Sequence, residues 1–256
     1  MAENIDARIE EYWNGPGVQS MPDRYLADLE SRMVARHVRA GDVLCDLGCG
    51  DGAGSEAYRG VCRRYVGVDR SRTMLERFRT RLPGYELIEG DARDLLAEGR
   101  IGADYTVVVS QRFIINLVDE EQQKGLIARL PGLLRPDGRL LLCEAFTEGV
   151  DNLNAMRAAL GCPLIEAKWH NRHLTKDLVA GALRPAMKLV HEEDLSLYYL
   201  VTRVIHPALI PGETPRWNAP INEIAYKLCS SERVPRMSGF STVVLQVWEK
   251  AQSGER

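Results

Sequence analysis

From residue 43 onward, short apolar runs alternate with amphipathic stretches. The runs predict strands over 43–47, 64–68, 85–88, 105–110 and 139–143. Between them lie candidate helices near 55–63, over 71–81 with Met74, Leu75 and Phe78 on one face, and over 119–134. Strands this short and this uniformly apolar are buried on both faces, which means a parallel sheet covered by helices on each side. Upstream, Tyr25, Leu26, Leu29, Met33, Val34 and Val38 recur at three- and four-residue steps, so the first 42 residues read as helical. Asn14-Gly15-Pro16-Gly17 breaks that stretch in two.

After Phe146 the alternation stops. Helices are expected at 151–160 and 175–184, strands at 197–205 and 242–248, and a helix at 221–229 inside a proline-rich stretch over 206–241. The expected layout is one domain: an N-terminal helical lid (1–42), a ligand-binding core (43–146), an acceptor-side insert (147–195) and a C-terminal strand pair with a long loop (196–256).

Composition narrows the function classes. A net charge of −3 over 256 residues gives no global field toward nucleic acid or acidic lipid. No apolar stretch is long enough to span a bilayer, and the charged N-terminus does not read as a signal peptide. The six cysteines show no CxxC spacing and no disulfide framework, so a reduced, cytoplasmic protein without a metal cluster is expected.

Candidate chemistry sits at the strand ends. "VLCDLGCGDGAGS", Val43 to Ser55, runs an apolar strand into Asp46 and then Gly48, Gly50 and Gly52. Glycines there allow a tight turn and let a ligand lie against bare backbone, with a helix N-terminus expected just beyond. The acids separate the possible ligands. Asp46, just before the first glycine, would repel a pyrophosphate and attract a cation. Asp69 ends the second strand about 20 residues past the glycines, where a carboxylate accepts ribose hydroxyls. Asp91 follows the third strand on the same edge. Three acids suit an adenosine attached to something positively charged. Asp69 and Asp91 could equally cap the helices that follow them.

"DLGCGDG", "VGVDRS", "EGDARDL", "DYTVVVSQRFIINL" and "LLRPDGRLLLCEAF" occur in that order. Over roughly residues 30–146 they resemble the successive motifs of the class I S-adenosylmethionine-dependent methyltransferases. The resemblance implies a Rossmann-like, doubly wound, seven-stranded and mostly parallel α/β sheet, with an antiparallel C-terminal hairpin and a helical insert or lid. It also implies S-adenosyl-L-methionine as cofactor. Asp46 and the backbone of Gly48 and Gly50 would hold the methionine end. Asp69 would take the ribose hydroxyls, and Arg70 would flank the adenine. Asp91, with Ala92 beside it, would accept from the adenine amino group, and Ser110 and Gln111 would lie below the sulfonium. The Asn/Asp-Pro-Pro-Tyr signature of base and glutamine N-methylators is absent, since the fourth strand ends Ser110-Gln111-Arg112.

Acceptor-side candidates come from the flanking segments. Tyr12-Trp13 precede the flexible Asn-Gly-Pro-Gly and could close over the cofactor. Arg24 or Arg32 could pair its carboxylate. His170 is the candidate general base, Asn171 could orient an acceptor, and Glu144 at the end of the fifth strand could take a proton. Arg112 and Asn116 could line the same pocket. The expected function is methyl transfer to a small-molecule acceptor at oxygen, nitrogen or carbon, with neither nucleic acid nor membrane as partner. Alternatives are non-methyl-transfer chemistry on the same cofactor, such as cyclisation of its aminobutyrate arm releasing methylthioadenosine, or NAD(P)-dependent redox chemistry. A binding module without turnover is a further alternative.

Overall fold

A computed structural model describes residues 5–211 and 216–251. Chain order gives α1 (Ile5–Asn14), α2 (Arg24–Ala35), β1 (Val43–Leu47), β2 (Arg64–Asp69), α3 (Arg72–Arg81), β3 (Glu86–Glu89) and α4 (Ala92–Ala97). There follow β4 (Tyr105–Gln111), α5 (Glu120–Arg129), β5 (Leu134–Ala145), α6 (Thr147–Ala159), α7 (Lys176–Leu183) and β6 (Met187–Asp194). The chain ends with α8 (Ser196–Tyr199), α9 (His206–Leu209), α10 (Pro220–Ser230) and β7 (Val243–Lys250). The seven strands form one sheet in the order β3-β2-β1-β4-β5-β7-β6. Strands β1 to β5 are mutually parallel, and β7 runs antiparallel to both β5 and β6. Every residue of β4 is buried, as expected for a central strand covered on both faces.

The chain leaves β1 toward β2 on one side and reaches β4 on the other, so strand order reverses between β1 and β4. Ligands in open α/β sheets bind at such a reversal, beyond the carboxyl ends of the strands. Short polar caps set where the neighbouring helices begin. Ser71 Oγ accepts from the Met74 amide at α3, Asp91 from Arg93 at α4 and Asp119 from Gln122 at α5. At the opposite end of the sheet Asp42 accepts from Arg139 at 2.8 Å and from the Thr106 hydroxyl at 2.8 Å, tying β1, β4 and β5 together.

Three expectations need correction. Residues 197–205, expected as a strand, are helical: α8, then a π-helical stretch over Leu200–Ile205, then α9. Leu195, Tyr198, Tyr199 and Thr202 recur at helical spacing and all are buried. The Tyr198 hydroxyl donates to Asp23 at 2.7 Å, and Arg203 pairs with the same carboxylate at 2.9 Å. Tertiary partners thus override the local β-propensity of an apolar run. The strand that pairs with β7 is instead β6, inside the stretch expected to be insert. The two strands are joined through α8–α10 rather than by a tight hairpin turn. Finally, 55–63 is a succession of turns and not a regular helix, so the helix expected to follow the glycine loop directly is replaced by turns.

Candidate functional site

The loop after β1 is held flat against β2. The amides of Gly48 and Cys49 both donate to the Val68 carbonyl, at 2.8 and 3.1 Å. Gly48 has φ +72°, and a Cβ there would fall 2.4 Å from Cβ of Phe113, so no side chain fits. Gly50 has φ +55° and donates its amide to Asp69 at 2.8 Å. That bond bends the loop over the tip of β2 and fixes the Asp69 carboxylate.

These strand tips border one cavity of about 1260 Å³, counting its opening to solvent. Of the residues expected at a cofactor, Asp46, Gly48, Gly50, Asp69, Arg70, Asp91, Ala92 and Gln111 line it, and of those expected at an acceptor, His170, Asn171, Arg112 and Asn116 do. Met74, Val68, Ile115 and Leu117 supply apolar wall. Residues that sequence reading passed over also line it. Ser20 and Met21 come from the link between α1 and α2, and Lys168 from the stretch before His170. Nothing in their local pattern marks them; only the tertiary path brings them here.

The carboxylates differ in remaining hydrogen-bond capacity. A carboxylate offers about four lone-pair positions. Asp69 uses one on each oxygen, Oδ2 for the Gly50 amide and Oδ1 for the Ser71 amide at 2.8 Å. One acceptor position per oxygen remains, which matches a vicinal diol. Asp91 spends more. Oδ1 accepts from the Arg93 amide and from Arg93 Nε, and Oδ2 from Arg93 Nη2 at 2.6 Å. One position remains, enough for a single amino group. Burial raises the Asp69 carboxyl above its usual range. At Asp91 burial acts the same way, but the Arg93 contacts outweigh it and hold the group low.

Asp46 lies deepest. Its Oδ2 accepts from the Tyr65 hydroxyl at 2.7 Å and the Tyr58 hydroxyl at 3.0 Å. Burial pushes its carboxyl up to about 7, against the pull of both tyrosines. It is therefore close to half-ionised near neutral pH, and a cation beside it would complete the ionisation.

On the other side of the cavity, His170 is 3% exposed and its Nδ1 has no hydrogen-bond partner among the described residues. Its ring stacks on Tyr12 with centroids 4.5 Å apart, and Trp13 and Trp169 meet it edge-on. Burial, with Lys168 adding to it, lowers its pKa to about 4, so the imidazole is neutral at pH 7 and a weaker proton acceptor than an exposed one. The exposed Lys168 ammonium has no partner among the described residues, and its pKa is lowered by desolvation and by Arg112. Arg112 itself is committed. It grips the buried Glu30 with Nε at 2.8 Å and with Nη2.

Five expected site residues stand elsewhere. Glu144 is fully buried and outside the cavity. Its Oε1 accepts from the Ser110 hydroxyl at 2.6 Å and from the Phe113 and Ile114 amides at 3.0 Å each. It fastens the turn after β4, and Ser110 is consumed in the same contact and does not line the cavity. Arg32 pairs with Asp28 one turn back on an exposed face of α2, at 2.7 Å. Arg24 lies against Tyr25 on the same helix. Tyr12 backs His170, and the neighbouring Trp13 is the member of that pair that lines the cavity.

Residues 44–138 match a family described as "Methyltransferase domain". Carboxy-S-adenosyl-L-methionine synthase of Aeromonas salmonicida (strain A449) is 35% identical over 124 residues, 44% of this chain and 48% of that protein. The enzyme of the same name from Salmonella paratyphi C (strain RKS4594) is 27% identical over 154 residues, 56% of this chain and 60% of that one. The chain thus spans about half the length of the curated relatives it matches. Among solved structures, the Bradyrhizobium japonicum WM9 N-methyltransferase NodS with S-adenosyl-L-homocysteine superposes with TM-score 0.57 at 14% identity, covering 98% of this chain and 100% of that one. Magnesium protoporphyrin IX methyltransferase from Synechocystis PCC 6803 with bound SAM gives 0.56 at 14% identity, covering 98% and 99%. At such identities the likeness is one of fold.

Proposed function

We propose that the chain is a class I S-adenosylmethionine-dependent methyltransferase, an enzyme that binds S-adenosyl-L-methionine in this cavity and transfers its methyl group to a small molecule; the methyltransferase-domain match over residues 44–138 and the shared fold support the reading. The observation that carries the reading is Asp69, a half-buried carboxylate with one acceptor position left on each oxygen at the tip of β2. Asp69 takes the two ribose hydroxyls. Asp91 gives its last acceptor position to the adenine amino group, beside the Ala92 backbone. Asp46 faces the positively charged methionine end, where bare backbone at Gly48 and Gly50 allows close approach.

The cofactor supplies a methyl group on a sulfonium, open to direct displacement. The chain's own residues position the acceptor. Trp13, His170 and Asn171 border the cavity from the side of α1 and the insert. A neutral His170 at the cavity wall accepts a hydrogen bond from an acceptor that carries a proton at neutral pH and so orients it toward the methyl group. Positioning supplies much of the rate in such a displacement.

A second reading is favoured by the curated relatives, which are named for making carboxy-S-adenosyl-L-methionine. The enzyme would then remodel the cofactor itself, and the unpaired Lys168 would offer a cation for a carboxylate at the cavity wall.

Titration calorimetry with S-adenosylmethionine tests the pocket. Asp69→Asn removes a charge that accepts both hydroxyls, and affinity is expected to fall about 10- to 100-fold. An unchanged affinity sinks the assignment. Incubating cofactor and protein with a small-molecule cell extract, followed by mass spectrometry, then separates the chemistries. S-adenosylhomocysteine marks methyl transfer, methylthioadenosine marks cyclisation, and a cofactor heavier by one carboxyl group marks the second reading.

A further inference from the structure

A second convergence of ligand-type side chains lies away from the cavity. His37, just beyond α2, and His191 and Glu193 on β6 bring three ligand atoms within 4.8 Å of one another. The sequence gives no hint of it, because His37 and Glu193 stand 156 residues apart. No metal-binding cluster was expected from cysteine and histidine spacing.

Strand geometry explains two of the three positions. β6 is the edge strand, and its register against β7 shifts between Leu189 and His191. Val190 is the extra residue and bulges out, 45% exposed. Such a bulge resets the alternation of the strand. His191 and Glu193, two apart, then share a face, and the His191 ring lies 5.0 Å from that of His37.

We propose that His37, His191 and Glu193 bind a divalent transition-metal ion of the zinc class, fastening the end of α2 to the edge of the sheet. Ligands about 2.0–2.2 Å from a tetrahedral ion stand about 3.3–3.6 Å apart. Nε2 of His37 and Nε2 of His191 lie 3.4 and 3.6 Å from the same oxygen, Oε1 of Glu193. The two carboxylate–imidazole edges already have that length, which is long for strong hydrogen bonds. Tilting the half-exposed His191 ring closes the third edge. The other carboxylate oxygen is held by Arg36 at 2.6 Å and approached by Arg236 at 3.6 Å. These contacts orient Glu193 and leave Oε1 to the ion. They also place two positive charges nearby, which disfavours magnesium or calcium and leaves binding to rest on imidazole coordination, the preference of zinc. The fourth position takes water. The ion would brace α2, whose Glu30 holds Arg112 at the cavity wall, so its role is structural.

The test uses the full chain with its cysteines kept reduced. Zinc chloride is titrated calorimetrically, thermal melting is followed with and without zinc, and cobalt(II) is added in a parallel arm. One ion per chain is expected, with a raised melting temperature and a cobalt spectrum lacking thiolate-to-metal charge transfer. His191→Ala and His37→Ala should each weaken binding about tenfold or more and cancel the rise in melting temperature. Far-UV circular dichroism checks that both variants fold, and His191 is exposed enough for its replacement to be tolerated. No binding, binding indifferent to both substitutions, or a thiolate-type cobalt spectrum overturns the proposal.

Discussion

Asp46 shows how far a residue's surroundings can move its chemistry. In the unfolded chain its carboxyl ionises near 3.8; in the fold burial lifts it to about 7. Because the folded value is the higher one, the stability it contributes is fully present below 3.8 and is lost as pH rises through about 7. A cation bound beside it reverses the preference and draws the proton off. Binding of S-adenosylmethionine is therefore expected to release a fraction of a proton below about pH 7 and to tighten as pH rises through that value. Calorimetry in two buffers of different ionisation enthalpy measures the release, which Asp46→Asn should abolish. His170, lowered to about 4, is already neutral across that window and adds nothing to the signal. The acids at the carboxyl ends of β1 to β3 were legible in the sequence, since a residue within two positions of a strand's end, as Asp46, Asp69 and Asp91 all are, has its place on the sheet edge set by the strand. Their differing capacities were not. The Arg93 clasp on Asp91 and the tyrosine pair on Asp46 depend on residues whose spacing carries no signal.

At the scale of elements, the parallel strands and most helices follow from the apolar pattern, because burial on both faces imposes a nearly continuous apolar run. The pattern fails where a short apolar run is ambiguous. Over 197–205 the alternatives are decided by Asp23 and Asn222, both bonded to the Tyr198 hydroxyl and both distant in sequence. The same limit explains Glu144. From sequence it is an acid at the ligand edge; in the fold it is the fastener for the turn after β4. Glu144→Ala strands the buried Ser110 hydroxyl, the buried Ile114 amide and the half-buried Phe113 amide, so a loss of about 2–4 kcal/mol is expected from urea denaturation. Glu144→Gln keeps an acceptor in place and should recover part of that loss. A Glu144→Gln variant of native stability that had lost turnover would instead return the residue to catalysis.

Across the whole molecule, the cavity is flanked by segments from opposite ends of the ligand-binding core. Asn14, at the end of α1, accepts from Ser71 at 2.9 Å, and Arg77 of α3 donates to the Val18 carbonyl at 2.6 Å. These bonds seat the N-terminal segment on the first half of the sheet. The His170 segment belongs to the second half, where the Arg172 amide donates to the Ile115 carbonyl at 2.7 Å. Tyr12 stacks on His170 where the two halves meet, with Trp13 edge-on to the same ring and Arg8 of α1 over the Trp169 ring. An aromatic pair of this kind contributes about 0.5–1.5 kcal/mol, small against global stability but large for a local opening. Tyr12→Ala should therefore barely move the melting temperature while loosening cofactor binding about two- to tenfold. Hydrogen exchange should rise together in α1 and around residues 166–171, because each segment loses part of the other's support, the Trp13–His170 and Arg8–Trp169 contacts remaining. Exchange confined to α1 would mean that the insert holds His170 unaided, and that the two ends close independently.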